Sequence, residues 1–121
     1  MKNEINSDIV YMAKIYNTYE RDWLGDPINS ISELTRHHIV KKQYGGENGI
    51  SNYALLTRNS HAFIHYLEDN YNLEYRYLNS LFLELNRSLT PPDLEYYEKV
   101  QKVLKRIKKQ QKNKKRVRKK R

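Results

Sequence analysis

The chain has 121 residues, 38% of them hydrophobic, with eleven Tyr, one Trp and no Cys. Length and composition allow one domain with a modest core, and the missing cysteines exclude a disulfide framework or a Cys-based zinc knuckle. The net charge is +9, yet residues 99–121 hold fourteen of the 23 Lys and Arg and no acid, which leaves nine basic against fourteen acidic residues, a net of −5, in positions 1–98. A +14 block repels itself and seeks polyanions, of which nucleic acid is the commonest in a cell; a solubility tail or a localisation signal is the competing reading. No apolar run has signal-peptide length or approaches the roughly 20 residues of a membrane span, so neither export nor a membrane partner is expected.

In chain order, Ser7 to Trp23 reads as a first helix, capped by Ser7, with Ile9, Met12, Ala13, Tyr16, Tyr19 and Trp23 forming its apolar stripe. Leu24-Gly25-Asp26-Pro27 breaks it. Leu34 to Val40 is rich in β-branched residues and predicts a strand, residues 41–51 with Gly45-Gly46 and Asn48-Gly49 predict a loop, and Tyr53 to Thr57 predicts a second strand. Asn59 or Ser60 can cap the next helix, which carries His61, Ile64, His65 and Glu68. A longer helix is expected over about Leu73–Asn86, with Tyr77, Leu78, Leu81, Phe82 and Leu85 on one face. Thr90-Pro91-Pro92-Asp93 predicts another helix start, with Thr90 as cap and Leu94, Tyr97, Val100, Leu104 and Ile107 on its apolar side. Beyond about Gln111 the apolar partners run out, and disorder is expected in the absence of nucleic acid. The expected division is therefore a domain over 1–98, with flanking helices around a core at 34–68, and a basic helix end and tail over 99–121.

All four histidines lie between positions 37 and 65. His61 and His65 have i, i+4 spacing, so a helix projects both from one face and can supply two metal ligands from one turn. A strand residue facing that helix can supply a third. His37 and His38 are adjacent on the predicted strand and point to opposite faces in regular geometry, so they take different jobs unless a bulge brings both to one side. A single helical His is usually inert, but four of four within one strand–loop–strand–helix segment favour a metal centre. Ile39, Leu55, Leu56, Ile64 and Leu67 are assigned to the core, and Tyr53 is placed there in preference to a nucleotide contact.

Leu34-Thr35-Arg36-His37-His38-Ile39, then Gly45-Gly46, then Ile50-Ser51-Asn52-Tyr53-Ala54-Leu55-Leu56, then His61 and His65, together resemble the HNH (His-Me finger, ββα-metal) endonucleases. The likeness covers about residues 34–68 and is greatest to members with a double His at the first position, such as nuclease-type colicins. It implies an α+β, mostly helical fold with a central ββα-metal motif, an N-terminal flanking helix and two C-terminal helices. It also implies a metal-dependent hydrolysis of phosphodiester bonds in DNA, by nicking or cleavage. His37, His61 and His65 would hold one divalent ion, His38 would be the general base that activates water, and Asn52 would hold the loop so that His38 is aimed. The ion could be Mg, Mn, Zn or Ni, since imidazole favours the last two whereas Mg and Mn prefer oxygen. Arg36, Lys41, Lys42 and Arg58 near the motif, and Lys114, Lys115, Arg116 and Arg118 in the tail, are candidate nucleic-acid contacts; solvated charge is the other reading of the first four. The resemblance implies a cytoplasmic protein of a bacterium or an infected host cell, in a phage or mobile-element setting, with DNA favoured over RNA as partner. A catalytically weak nucleic-acid-binding protein with a structural metal site, or an RNA-directed subunit of a nucleoprotein complex, is the alternative.

Overall fold

The computed structural model describes residues 6–119, with the side chains of 114–119 outside the description. The fold is α+β and mostly helical: α1 (Ser7–Ile15), β1 (Leu34–His38), β2 (Tyr53–Thr57), α2 (Arg58–Asn70), α3 (Asn72–Ser88) and α4 (Leu94–Lys119). The two strands pair antiparallel, with Leu34 opposite Thr57, His37 opposite Ala54 and His38 opposite Tyr53. All five β2 residues are buried. Both of its faces are covered by helices, which explains its unbroken run of apolar side chains rather than an alternating pattern. Among the described residues no helix is long and apolar enough to cross a membrane.

Helix α1 is shorter than the sequence suggests. Asn6 rather than Ser7 is the cap, its side chain accepting from Asp8 and Ile9 N–H. The helix stops because Asn17 turns into the left-handed region at φ 48°. Trp23 is nevertheless fully buried, reached by a loop rather than a helix, with its ring edge-on to Tyr16 at 5.0 Å and its Nε1–H donating to Thr18 Oγ1. Tyr19, expected on the same stripe, is exposed.

That loop is fastened to the start of α2 by buried polar groups. Asp22 Oδ1 accepts from Leu24 and Asp26 N–H at 2.8 and 2.9 Å, and Asp22 Oδ2 accepts from Thr57 N–H at 2.8 Å. Thr57 is the cap of α2, two residues before Asn59 and three before Ser60, and its hydroxyl donates to Asp26 Oδ2 while accepting from Ser60 N–H. Tyr96 and Tyr97 of α4 donate to the Trp23 and Asp22 carbonyls from the other side. A chain without cysteines thus fixes its short strand pair and the helix behind it with two carboxylates and two phenols.

Helix α3 buries Tyr75, Leu78, Leu81, Phe82 and Leu85, whereas Tyr77 faces out. Helix α4 starts at Leu94 with Asp93 accepting from Tyr96 N–H, not at Thr90. Pro91 precedes Pro92 and is kept out of helical geometry, so it cannot serve as the first helical residue. The buried side of α4 is Tyr96, Tyr97, Val100, Val103 and Ile107, with Leu94 exposed. The apolar side of α4 is buried as far as Ile107, and its backbone is described to Lys119. Residues 105–119 contain no Gly or Pro, and Lys, Arg and Gln lose little freedom in a helix, so the packed part can propagate outward.

Candidate metal centre

Strand alternation separates the adjacent histidines. His37 points inward and is 2% exposed, while its neighbour His38 is half-buried on the other side. The His37 ring lies 5.5 Å from that of His61, 6.3 Å from that of His65 and 5.8 Å from that of Phe82. The His61 and His65 rings, one helical turn apart on α2, stack at 4.9 Å. Three of the four histidines thus gather in one place. His38 packs edge-on against Tyr53 at 5.2 Å, close enough for its charge to disfavour protonation of both His37 and His61.

Hydrogen bonds decide which nitrogens are free. Thr35 Oγ1 donates its only proton to the Leu56 carbonyl at 2.7 Å, so its 2.7 Å contact with His61 Nδ1 requires the ring to donate. That leaves the lone pair of His61 on Nε2. His37 Nε2–H donates to Asn79 Oδ1 at 2.9 Å, leaving the lone pair on Nδ1. His38 Nε2–H donates to Asn48 Oδ1 at 2.9 Å, again leaving Nδ1 to accept.

Burial first, with the surrounding imidazoles and against the opposing pull of Asn79, brings the pKa of His37 down to about 4. His61 is lowered by burial first and by His65 and His38 second. Both rings are neutral at physiological pH and offer lone pairs, as metal ligation requires. Among the described residues no group of three or more His, Cys, Asp or Glu side chains is arranged so that it could hold a metal ion. Neutral imidazole is nonetheless a donor type that divalent zinc and nickel accept. Two neutral imidazoles carry outer hydrogen bonds of the kind that orient metal ligands, and His65, with a 57% exposed side chain, has room to turn. Its Nδ1 lies 3.7 Å from Glu68, whose carboxylate is paired with Lys41.

The loop that carries His38's partner is held by Asn52. Its Oδ1 accepts from Val40 N–H at 2.9 Å, and its Nδ2 donates to the carbonyls of Val40 and Glu47 at 2.9 and 3.0 Å, so one buried side chain joins both ends of the loop. Gly46 is required beside it, because a Cβ there would stand 1.8 Å from the Val40 carbonyl oxygen. Asn86 of α3 supports the same region from below, donating to the carbonyls of Ile50 and Tyr53.

The basic candidates are dispersed. Arg36 lies over the Tyr53 ring and 3.7 Å from Asp8, Lys41 is committed to Glu68, and Lys42 and Arg58 are exposed. The side chains of Lys114, Lys115, Arg116 and Arg118 lie outside the described residues. Sequence reasoning missed Thr35, Asn48 and Asn79 as partners of the histidines. Asn79 is 42 positions from His37 and gives no local signal, whereas Asn48 and Thr35 sit inside the motif segment. Comparison of the chain with protein-family models, with curated proteins and with solved structures finds no match.

Proposed function

We propose that the chain is a metal-dependent endonuclease of the HNH, ββα-metal kind that hydrolyses phosphodiester bonds in DNA. The observation that carries this reading is the pairing of three gathered imidazoles with a fourth, His38, whose Nε2 is occupied by Asn48 and whose Nδ1 is left to take a proton. The order strand, loop, strand, helix and the loop-joining Asn52 accord with it.

His37, His61 and His65 would hold the ion, which when bound supplies positive charge to the scissile phosphate and the leaving oxygen. Thr35 and Asn79 keep the first two rings oriented for it. His38 accepts a proton at Nδ1 from water, the resulting hydroxide oxygen bonds to phosphorus, and the bond from phosphorus to the leaving oxygen breaks; solvent returns a proton to that oxygen. Asn48 steadies His38 through this step, and Asn52 with Gly46 keeps the loop carrying Asn48 at its distance from the strand.

Supercoiled plasmid incubated with the full chain and Mg²⁺, Mn²⁺, Ni²⁺ or Zn²⁺ tests the reading. Nicked or linear product with at least one metal, abolished by a chelator, supports it. Intact plasmid under every metal overturns it, and leaves a nucleic-acid-binding protein with a structural metal site as the better account.

A further inference from the structure

Helix α2 has a second working edge. At 3.6 residues per turn, Phe63 and Tyr66 project roughly opposite to His61 and His65, across a helix body about 10 Å thick. On that far side α2 and α4 enclose a cleft of about 430 Å³, walled by Phe63, Leu104, Lys105 and Lys108 and closed at one end by the Gly25–Pro27 turn. A depression of about 460 Å³ lined by Lys105, Lys108 and Lys112 continues it along α4. The two adjoin at Lys105 and Lys108; Phe63 lines the first, and Tyr66 stands beside them, outside both linings.

Two chemistries meet there. The Phe63 and Tyr66 rings stack at 6.1 Å with their planes 23° apart, and Tyr66 is 42% exposed. Gln111 Nε2 reaches the Tyr66 hydroxyl at 3.4 Å, tying the aromatic pair to the lysine-bearing helix. Lys105, Lys108 and Lys112 fall on one face of α4, rising about 4.5 and 6 Å from one to the next. None of the three makes an ion pair among the described residues, and the nearest groove acid, Asp26, is engaged by the Thr57 hydroxyl. Unpaired cations in a row beside accessible aromatic faces are what a single-stranded nucleic acid requires: phosphates follow the charge, and bases stack on the rings. A duplex can use the charge but hides its base faces.

We propose that the α2–α4 groove is a second nucleic-acid site that takes a single strand, stacking a base on Phe63 and Tyr66 and seating its phosphates on Lys105, Lys108 and Lys112. The site uses none of the histidines and stands independently of the nuclease reading. It lies on the other side of α2 from the metal centre, so the strand it holds is a different segment from the one at the histidines. A substrate with a single-stranded stretch next to a paired one can occupy both.

The test is binding of the full chain to a fluorescent 16-nucleotide single strand and to the matching duplex, without divalent metal, across a salt series. Tyr66→Ala should weaken single-strand binding about tenfold and duplex binding less than twofold, since one stacked base is at stake. The triple variant Lys105→Gln, Lys108→Gln, Lys112→Gln should flatten the single-strand salt slope by about 2, the value for three phosphate contacts. All four positions are solvent-exposed, so both variants are expected to keep the wild-type circular dichroism. If Tyr66→Ala changes both ligands equally or neither, or the triple variant leaves the slope unchanged, the groove is not the single-strand site. With no divalent metal present, cleavage takes no part in the measurement, so its outcome is separate from any failure of the nuclease reading.

Discussion

Thr35 fixes the tautomer of His61. With its one hydroxyl proton given to the Leu56 carbonyl, Thr35 can only accept from His61 Nδ1–H, and the imidazole must present Nε2 as its lone pair. The bond joins a strand residue to a helix residue 26 positions later, so the sheet register itself sets the chemistry of a ring on α2.

Thr35→Val removes that acceptor while keeping the β-branched shape. The expected result is a loss of 10-fold or more in affinity for Ni²⁺ or Zn²⁺, in the range seen when outer hydrogen bonds to metal ligands are removed. Calorimetric titration measures it, and nitrogen-15 imidazole spectra should show the Nε2–H form of His61 appearing. Unchanged affinity would mean that His61 is not a ligand.

The loop anchored by Asn52 yields a second expectation. Asn52→Ala deletes three hydrogen bonds to buried or half-buried backbone and should cost about 2–3 kcal/mol in urea unfolding. Gly46→Ala drives a methyl into the Val40 carbonyl and should cost about 3 kcal/mol or more. Both should lower cleavage more than metal affinity, because His38 and Asn48 move while the other three rings stay.

His37 contributes to the acid side of the stability profile. Its folded pKa of about 4 is below the unfolded value near 6.5, so the unfolded chain binds the proton first. Stability contributed by the neutral ring is fully present above about pH 6.5 and is lost as pH falls toward 4, by about 3 kcal/mol in all. Urea unfolding of metal-free protein at a series of pH values should show this slope in the wild type and lose about one proton's worth of it in His37→Gln. Equal slopes in the two proteins would contradict the burial assigned to His37.

Asp22 should prove a costly polar position outside the histidine group, on a par with Asn52. Asp22→Asn replaces one accepting oxygen with a donor that faces N–H groups and is expected to lower stability by about 2–3 kcal/mol, read by thermal melting. The first turn of α2 should show the largest rise in amide exchange, because the Thr57 N–H loses its partner.

The legible part of this fold was local. β-branched residues and paired glycines marked the strand–loop–strand segment, and helical spacing marked α2 and α3. The end of α1 was not legible, since Asn17 in a left-handed turn looks like any polar residue in a helical window. The start of α4 was misread because two consecutive prolines shift the cap from Thr90 to Asp93, a consequence of the first proline's own restriction. The gathering of His37 with His61 and His65 could be expected from the i, i+4 pair and a facing strand. Asn79 could not, because only the packing of α3 brings it to His37.

The division of labour among the histidines is tested most directly by measuring Ni²⁺ affinity and plasmid cleavage side by side for His38→Ala and His61→Ala. The account predicts that His38→Ala retains the metal within about threefold but loses cleavage by 100-fold or more, as removal of a general base does, while His61→Ala loses both. Cleavage by His38→Ala at the wild-type rate, or full metal binding by His61→Ala, would contradict it.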